Sequence, residues 1–588
     1  MHMNKLLSLA LLLSVLLFSA CQNERSAAKW KRSGQDILIR MPQEPSGLNS
    51  LMAFDAYSTT AQRYLYQFLE DMDPHSGELR PQLLEKKPTI EMLENGGVRY
   101  DFDMHPKAVW DNGKPVTGED YLFTLKLIMN PHIPASIFRP YLDFLDRVET
   151  DPENPRHFSV YTKRPYILAE EVITNILPVM PEYKFDPEGI MRNYSLEELM
   201  NPELRKQFEE DERLQAFAKS FTSDANNRAP EQVGGSGPYR LEEWSEGQRL
   251  VFVKKDPWWG DEYCPENELL CAYPPRITIK PVKDPSAAAT LIKGEEIDIA
   301  DLLNPRDFVE MRDDPKLNQI YSFEAPLTLR HYFIYINTRN PKLDDPKVRR
   351  ALAHLLNTQQ IIQDVFYGLG EPVSSPIFPG KDYYAKDLKP IPFDIEQAKV
   401  LLSEAGWMDT DGNGTVDKKI NGQKVEMELN FLVTPNEPSK QIALLFQENA
   451  QKAGVKINIQ ILDFKAWRQA MNAREYELAN GALSYQPVLD DLTQIWHTQS
   501  SQAGGMNRTF FGSEESDQII EEINRTLDKK KRDKLYKIFQ HMIYEDQPVI
   551  NIMTARSRIA IHRRFDAFTS YVPPSYYPML YRLEDELQ

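Results

Sequence analysis

Several groups of residues in this 588-residue chain have types and spacings that suggest chemistry. Asp409-Thr410-Asp411-Gly412-Asn413-Gly414-Thr415-Val416-Asp417 alternates carboxylates with turn residues, as the start of a calcium loop does. Such a loop would use Asp409, Asp411, Asn413 and Asp417, but Ile420 stands where a bidentate glutamate belongs. Asn-Gly between two short strands also makes a plain hairpin turn, and that reading is preferred to a metal. Val233-Gly234-Gly235-Ser236-Gly237-Pro238 is rich enough in glycine to suggest a phosphate cradle. However, no Lys-Ser/Thr follows it and no G-x-G-x-x-G is present. The histidines (His75, His105, His132, His331, His354, His497, His541 and His562 among them) are scattered, without H-E-x-x-H spacing. With no G-x-S-x-G elbow either, nothing recommends an enzyme, and no cofactor is implied. A hydrolase with dispersed residues stays the least supported alternative.

The cysteines say more. Lys5 and the apolar run Leu6–Phe18 precede Ser19-Ala20-Cys21. That run is short of the roughly 20 residues that span a bilayer, so residues 1–20 read as an export signal. Small residues before Cys21 look like a bacterial lipobox, with lipid on the Cys21 thiol. Ordinary cleavage near Ala20 is the alternative. Polar residues 21–35 would then be a tether. Export places Cys264 and Cys271 in an oxidising compartment, which favours a disulfide over a two-cysteine metal site. Closing so short a loop contributes about 2–3 kcal/mol by chain entropy. The net charge of −18 argues against nucleic acid, which needs a basic stripe, and leaves the lipid as the one membrane contact.

The elements around these residues form an α/β pattern. Ile37–Arg40 reads as a strand, Ala61–Glu70 as a helix with Leu65, Phe68 and Leu69 inward, and Val98–Asp103 as an alternating strand. Trp110-Asp111-Asn112-Gly113-Lys114-Pro115-Val116-Thr117-Gly118-Glu119-Asp120-Tyr121 reads as a turn running into a helix. Thr117 and Asp120 form its capping box, Tyr121, Leu122, Leu125 and Ile128 its inner face, and Pro131 its stop. Residues 194–221 read as a pair of amphipathic helices inserted on the surface. Glu426–Val433, Gln441–Gly454 and Val455–Leu462 give strand, helix, strand.

These words resemble the family 5 extracellular solute-binding proteins of ABC importers. The Trp110–Tyr121 segment is similar to the family's "W-h-D-G-x-P-v-T-A-x-D-V". Gly237-Pro238-Tyr239-Arg240-Leu241 with Trp244 and Gly247 is similar to "G-P-Y-k-l-x-x-W-x-x-G". Tyr332–Thr338 with Asp344–Leu352 is similar to "y-x-x-f-N" and "D-x-r-V-R-x-A-l". The resemblance implies a bilobed Venus-flytrap fold with a small extra domain. Lobe I would comprise 36–56, 178–325 and 550–588, the extra domain 57–177, and lobe II 326–549. Hinge crossings fall near Phe323–Leu329 and Gln547–Asn551. It also implies a monomer that closes on a peptide or other small molecule and presents it to a permease–ATPase complex. A sensor without transport role would share the fold.

In peptide-binding members an aspartate after "G-W-x-x-D" holds the ligand's ammonium. Here the segment is Asn480-Gly481-Ala482-Leu483-Ser484-Tyr485-Gln486-Pro487, where Leu483 replaces the tryptophan and Gln486 or Pro487 the aspartate. Asp490 is the expected substitute charge. The remaining cleft candidates are Tyr57, Arg139, Tyr141, Tyr332, Tyr335 and Trp467, because pocket linings are mostly aromatic and apolar.

Overall fold

The computed structural model describes residues 34–485, 487–502 and 504–584. The export signal, Cys21, most of the tether and Gln486 lie outside the described residues. No helix among the described residues is long and apolar enough to cross a membrane.

Each of two mixed sheets forms the centre of a lobe. In the first, strands run in the order Tyr321–Glu324, Ile559–His562, Ile299–Ala300, Ile37–Met41, Arg276–Pro281, Arg249–Lys254 and Tyr239–Ser245. Ile37–Met41 is central and parallel to both neighbours, and Ile37 and Ile39 are buried as a central strand requires. The second sheet runs Gly370–Pro372, Val549–Arg556, Leu327–Ile336, Leu478–Ser484, Glu428–Val433 and Lys456–Ile461. Glu428–Val433 and Lys456–Ile461 are parallel, so helix Glu437–Lys452 crosses between them as the strand–helix–strand pattern predicts.

The chain passes between the sheets at residues 325–326 and again at 557–558. The first crossing is where the sequence placed it. The second is later than Gln547–Asn551, because Val549–Arg556 stays paired with Leu327–Ile336 as far as Arg556 opposite Leu327. Sheet pairing thus assigns Ile550–Arg556 to lobe II, against the expected boundary at 550.

The extra domain holds a four-stranded antiparallel sheet in the order Thr89–Met92, Val98–Asp103, His157–Thr162 and Leu145–Thr150. Helix Gly118–Met129 packs on it, and Asp120 ties its start together. The Asp120 carboxylate accepts from the Thr117 N–H and Oγ1 (both 2.9 Å), the Trp110 indole N–H (3.2 Å) and the Glu182 N–H (3.3 Å). The fixed word order of this segment is therefore one hydrogen-bond network around a buried acid. Phe123 and Leu127 are buried besides Tyr121, Leu125 and Ile128. The helix is covered on more than the one predicted face because the 194–221 insertion packs against it. That insertion is three short helices rather than two: Leu196–Met200, Arg205–Glu209 and Glu212–Phe221.

Other local expectations shift for readable reasons. The first helix is Ala56–Gln62 instead of 61–70, because Asp55 caps it by accepting from Tyr57 and Ser58. In the glycine-rich segment Gly234 has a positive φ of 127°, unlike Gly237. Gly237 is small because a Cβ there would sit 2.5 Å from the Leu65 carbonyl carbon, where the Gly237 N–H donates to Leu65 O at 3.0 Å. The hairpin turn after the acidic loop is Asn421-Gly422, with φ of 52° and 79°, and not Asn413-Gly414. Cys264 and Cys271 are joined in a disulfide.

Asp120→Ala leaves the buried Trp110 and Glu182 donors without their acceptor. A loss of about 2–4 kcal/mol is expected, read as a lower urea midpoint at unchanged slope; an unaltered midpoint would show that the network is dispensable.

Candidate functional site

Strand Leu478–Ser484 lies between Leu327–Ile336 and Glu428–Val433 and delivers its exit, residues 485 and 487–491, to the face where lobe II meets the extra domain. Leu483 pairs with His331. The Tyr485 ring stacks on His331 with centroids 5.5 Å apart and planes 7° from parallel. Burial holds that imidazole neutral, its pKa pushed down to about 3. Beyond Tyr485 the loop is fixed by Lys381, whose ammonium donates to the carbonyls of Pro487 and Val488. Asp490 is buried: its carboxylate accepts from Tyr383 Oη (2.8 Å) and its carbonyl from Tyr536 Oη (2.5 Å). The acid expected to greet the ligand is thus committed to holding the loop.

In front of this loop opens a cavity of about 580 Å³, within the range of small-molecule sites. Three parts of the chain wall it: the extra domain with Lys87, Glu170 and Glu171, lobe II with Lys381, Tyr383 and Pro487–Leu489, and the C-terminal tail with Tyr571. Burial raises the Glu171 carboxyl to about 7, against the pull of Lys381 and a hydrogen bond from the Leu489 N–H, with Asp490 adding to the rise. Its Oε2 is buried without a hydrogen-bond partner. Beside it Lys87 pairs with Glu170 (2.6 Å) and with the fully buried Glu70 (3.0 Å), whose carboxyl burial also lifts to about 7.

A second polar cluster stands on lobe I near the crossings. The Arg40 guanidinium donates to the carbonyls of Val282 and Asp301, both at 2.8 Å. The Asp301 residue keeps some exposed surface, yet its Oδ1 is buried without a hydrogen-bond partner and crowding raises the carboxyl to about 6. Local crowding of the carboxyl, not residue area, sets that shift. Tyr57 lies within reach of the Arg40 and Asp301 charges, and Arg558 within reach of Asp301 and Tyr332. Two candidates, Tyr57 at the start of the extra domain and Tyr332 of lobe II, therefore gather around one cluster.

The other candidates sit in structural places. Arg139 donates to the carbonyls of Ile128, Asn130 and Ile133, closing the end of helix Gly118–Met129, and Tyr141 is exposed on the extra domain. Tyr335 is buried against Phe333, and Trp467 is buried with Phe464 stacked on it and Arg508 over its ring. Asn480 binds Thr434 and Ser439, fixing the neighbouring strand end. In the acidic loop, Asp409, Asp411 and Asp417 bring carboxylate oxygens within 4.8 Å of one another. Lys424 pairs with Asp411 and Asp417, and Asp409 accepts from the Gly412 and Gly414 N–H groups, so each carboxylate has a partner inside the loop.

Comparison with known proteins places this architecture. Residues 78–506 match the model of the bacterial extracellular solute-binding proteins, family 5. The chain belongs to that family. As a family 5 protein it is 25% identical over 577 residues to the oligopeptide-binding protein AppA of Bacillus subtilis, covering 96% of this chain and 95% of that one. It is 25% identical over 321 residues to heme-binding protein A of Haemophilus influenzae, covering 54% of each chain. The solved structure of AppA in complex with a nonapeptide superposes with a TM-score of 0.62 at 22% identity, over 94% of this chain and 99% of that one. HbpA2 from Haemophilus parasuis gives 0.74 at 18%, over 93% and 100%. The fold of this family 5 protein is thus the bilobed periplasmic-binding-protein fold.

The sequence offered no sign of Glu171, Lys381 or Asp301. They are single charged residues in segments without a motif, and only the folded chain buries them. From the C-terminal tail, Tyr571 reaches the cavity wall.

The Glu171 carboxyl carries a pH signature. Its pKa rises from 4.5 to about 7 on folding, so between these values the folded chain keeps a proton that the unfolded chain has lost. Stability attributable to this group therefore falls as pH rises through the window and is flat above it. Glu70 acts in the same direction in wild type and Glu171→Gln alike and cancels from their difference. Urea unfolding from pH 4.5 to 8 is expected to show wild type losing stability relative to Glu171→Gln up to about pH 7; a constant difference would mean that Glu171 stays ionised.

Proposed function

We propose that this chain is the substrate-binding component of an ABC importer. It captures a peptide between its two lobes and hands it, chemically unchanged, to a membrane permease and its ATPase. The observation that carries this reading is the near full-length similarity to an oligopeptide-binding protein, spanning 96% of this chain. The site supports it: the cavity is walled by the extra domain, lobe II and the C-terminal tail, and it mixes acids, bases and aromatic rings. A ligand carrying charge, amide groups and side chains suits such walls better than a purely apolar one. The chain acts as a monomer on the periplasmic or cell-envelope face, tethered by residues 21–35 with lipid on Cys21. Residues 325–326 and 557–558 are its hinge, lobe I and the extra domain moving as one body against lobe II.

A ligand drives closure only by binding the closed form better than the open one. Native mass spectrometry of protein purified from its host is expected to show bound masses that fragment as peptides. Incubation of those peptides with the pure protein should leave them intact. A bound metal chelate or glycan would replace the peptide reading with another ligand of the same fold, and cleaved peptides would overturn the transport reading altogether.

A further inference from the structure

We propose that Glu171 is the anchor for a protonated primary amine of the ligand, at the seam between the extra domain and lobe II. This rests on the peptide reading above. The cations along the cavity wall are already engaged. Lys87 is held by Glu70 and Glu170, Lys529 pairs with Asp382 at 2.6 Å, and Lys381 is spent on two backbone carbonyls. Arg532 donates to the carbonyls of Thr526 and Leu527, both at 3.2 Å. Glu171 differs from the paired acids. Leu489 N–H reaches its carboxylate, Lys381 acts on it only through its charge, and Oε2 has no hydrogen-bond partner.

A buried carboxylate oxygen without a donor is costly, and a cation arriving from the cavity supplies what is missing. An ammonium fits best: it is compact, and its three N–H donors can reach Glu171 and still serve neighbouring acceptors. Asp490 cannot take this role, since Tyr383 holds its carboxylate inside the loop. Glu171 rides on helix Ala169–Asn175 of the extra domain, whereas Leu489 and Lys381 belong to lobe II. Lobe II walls the same cavity, so an amine seated on Glu171 meets both bodies, and recognition of its charge favours the closed arrangement.

The test uses three pentapeptide pools: free N-terminus without lysine, acetylated without lysine, and acetylated with one lysine. Retention on the full chain is read by mass spectrometry. Wild type is expected to retain at least one amine-bearing pool about tenfold or more above the uncharged pool. Which of the two is retained tells a terminal amine from a side-chain one. Glu171→Gln should lose this preference while holding the uncharged pool as wild type does. Glu170→Gln, which removes an acid already paired with Lys87, should keep it. Persistence of the preference in Glu171→Gln overturns the assignment and leaves peptide binding standing. Equal retention of all pools by wild type overturns it without any variant, and retention of none by wild type sinks the peptide reading itself.

Discussion

One antiparallel ribbon runs through both lobes, and the rest of the molecule hangs on it. Tyr321–Glu324 pairs with Ile559–His562 in the first sheet, and Leu327–Ile336 pairs with Val549–Arg556 in the second. The register does not change between them: Glu324 faces Ile559 and Leu327 faces Arg556. Between the two stretches residues 325–326 and 557–558 drop out of the ladder, and a further irregularity follows between Leu327 and His331. Pro326 explains the gap, since it has no N–H to donate and holds Ala325 away from helical geometry. What survives there is the Ser557 N–H to Pro326 O at 2.8 Å and the Arg556 guanidinium to Ala325 O at 2.7 Å. Two packed sheets joined through two such links can turn against each other while their cores stay intact.

That arrangement obliges lobe I to be assembled from distant pieces of chain, and a buried ion pair holds them. Asp298, with no exposed surface, accepts from the Leu38 N–H at 2.8 Å and from Arg564 Nε at 3.0 Å. Arg564 also donates to Asp36 O at 2.7 Å, so the first strand, the middle of the chain and its end meet at one carboxylate. Breaking one partner of such a pair costs on the order of 3–5 kcal/mol, because the other charge is left buried alone. The pair therefore specifies which ends come together more than it adds net stability.

The sequence made legible what local chemistry encodes. The Thr117–Asp120 cap and the strand–helix–strand run through residue 461 each rest on neighbours within a few positions, whereas the crossings came only with the family resemblance. The second crossing, expected at Gln547–Asn551, falls later because only pairing with the other strand tells which sheet owns each residue. The site suffered most. Arg139, Tyr335, Trp467 and Asn480 have the right types for a cleft, but type does not reveal that carbonyls, rings or a strand end already occupy them. Asp490 was the nearest acid in sequence, whereas the unpartnered carboxylate lies more than three hundred residues earlier, on another domain.

That distance matters for how recognition and motion are coupled. Across the seam the extra domain gives lobe II the Ile167 N–H to Asn524 O at 3.0 Å and Tyr166 Oη to Asp491 at 3.2 Å. Such bonds contribute about 0.5–3 kcal/mol each, the upper part of that range belonging to the one with a charged acceptor. Moving a two-state equilibrium from 1:99 to 99:1 takes roughly 5.5 kcal/mol of preference for one state. Close charge pairs at interfaces are worth about 1.5–7 kcal/mol. One ammonium against Glu171 can thus supply a large share of that preference, provided its other contacts come from the opposite body. A carboxylate whose ligand met only one body would bind the amine equally well in the open and closed forms and shift nothing. Because lobe II walls the same cavity as Glu171, the proposed contact ties binding to closure.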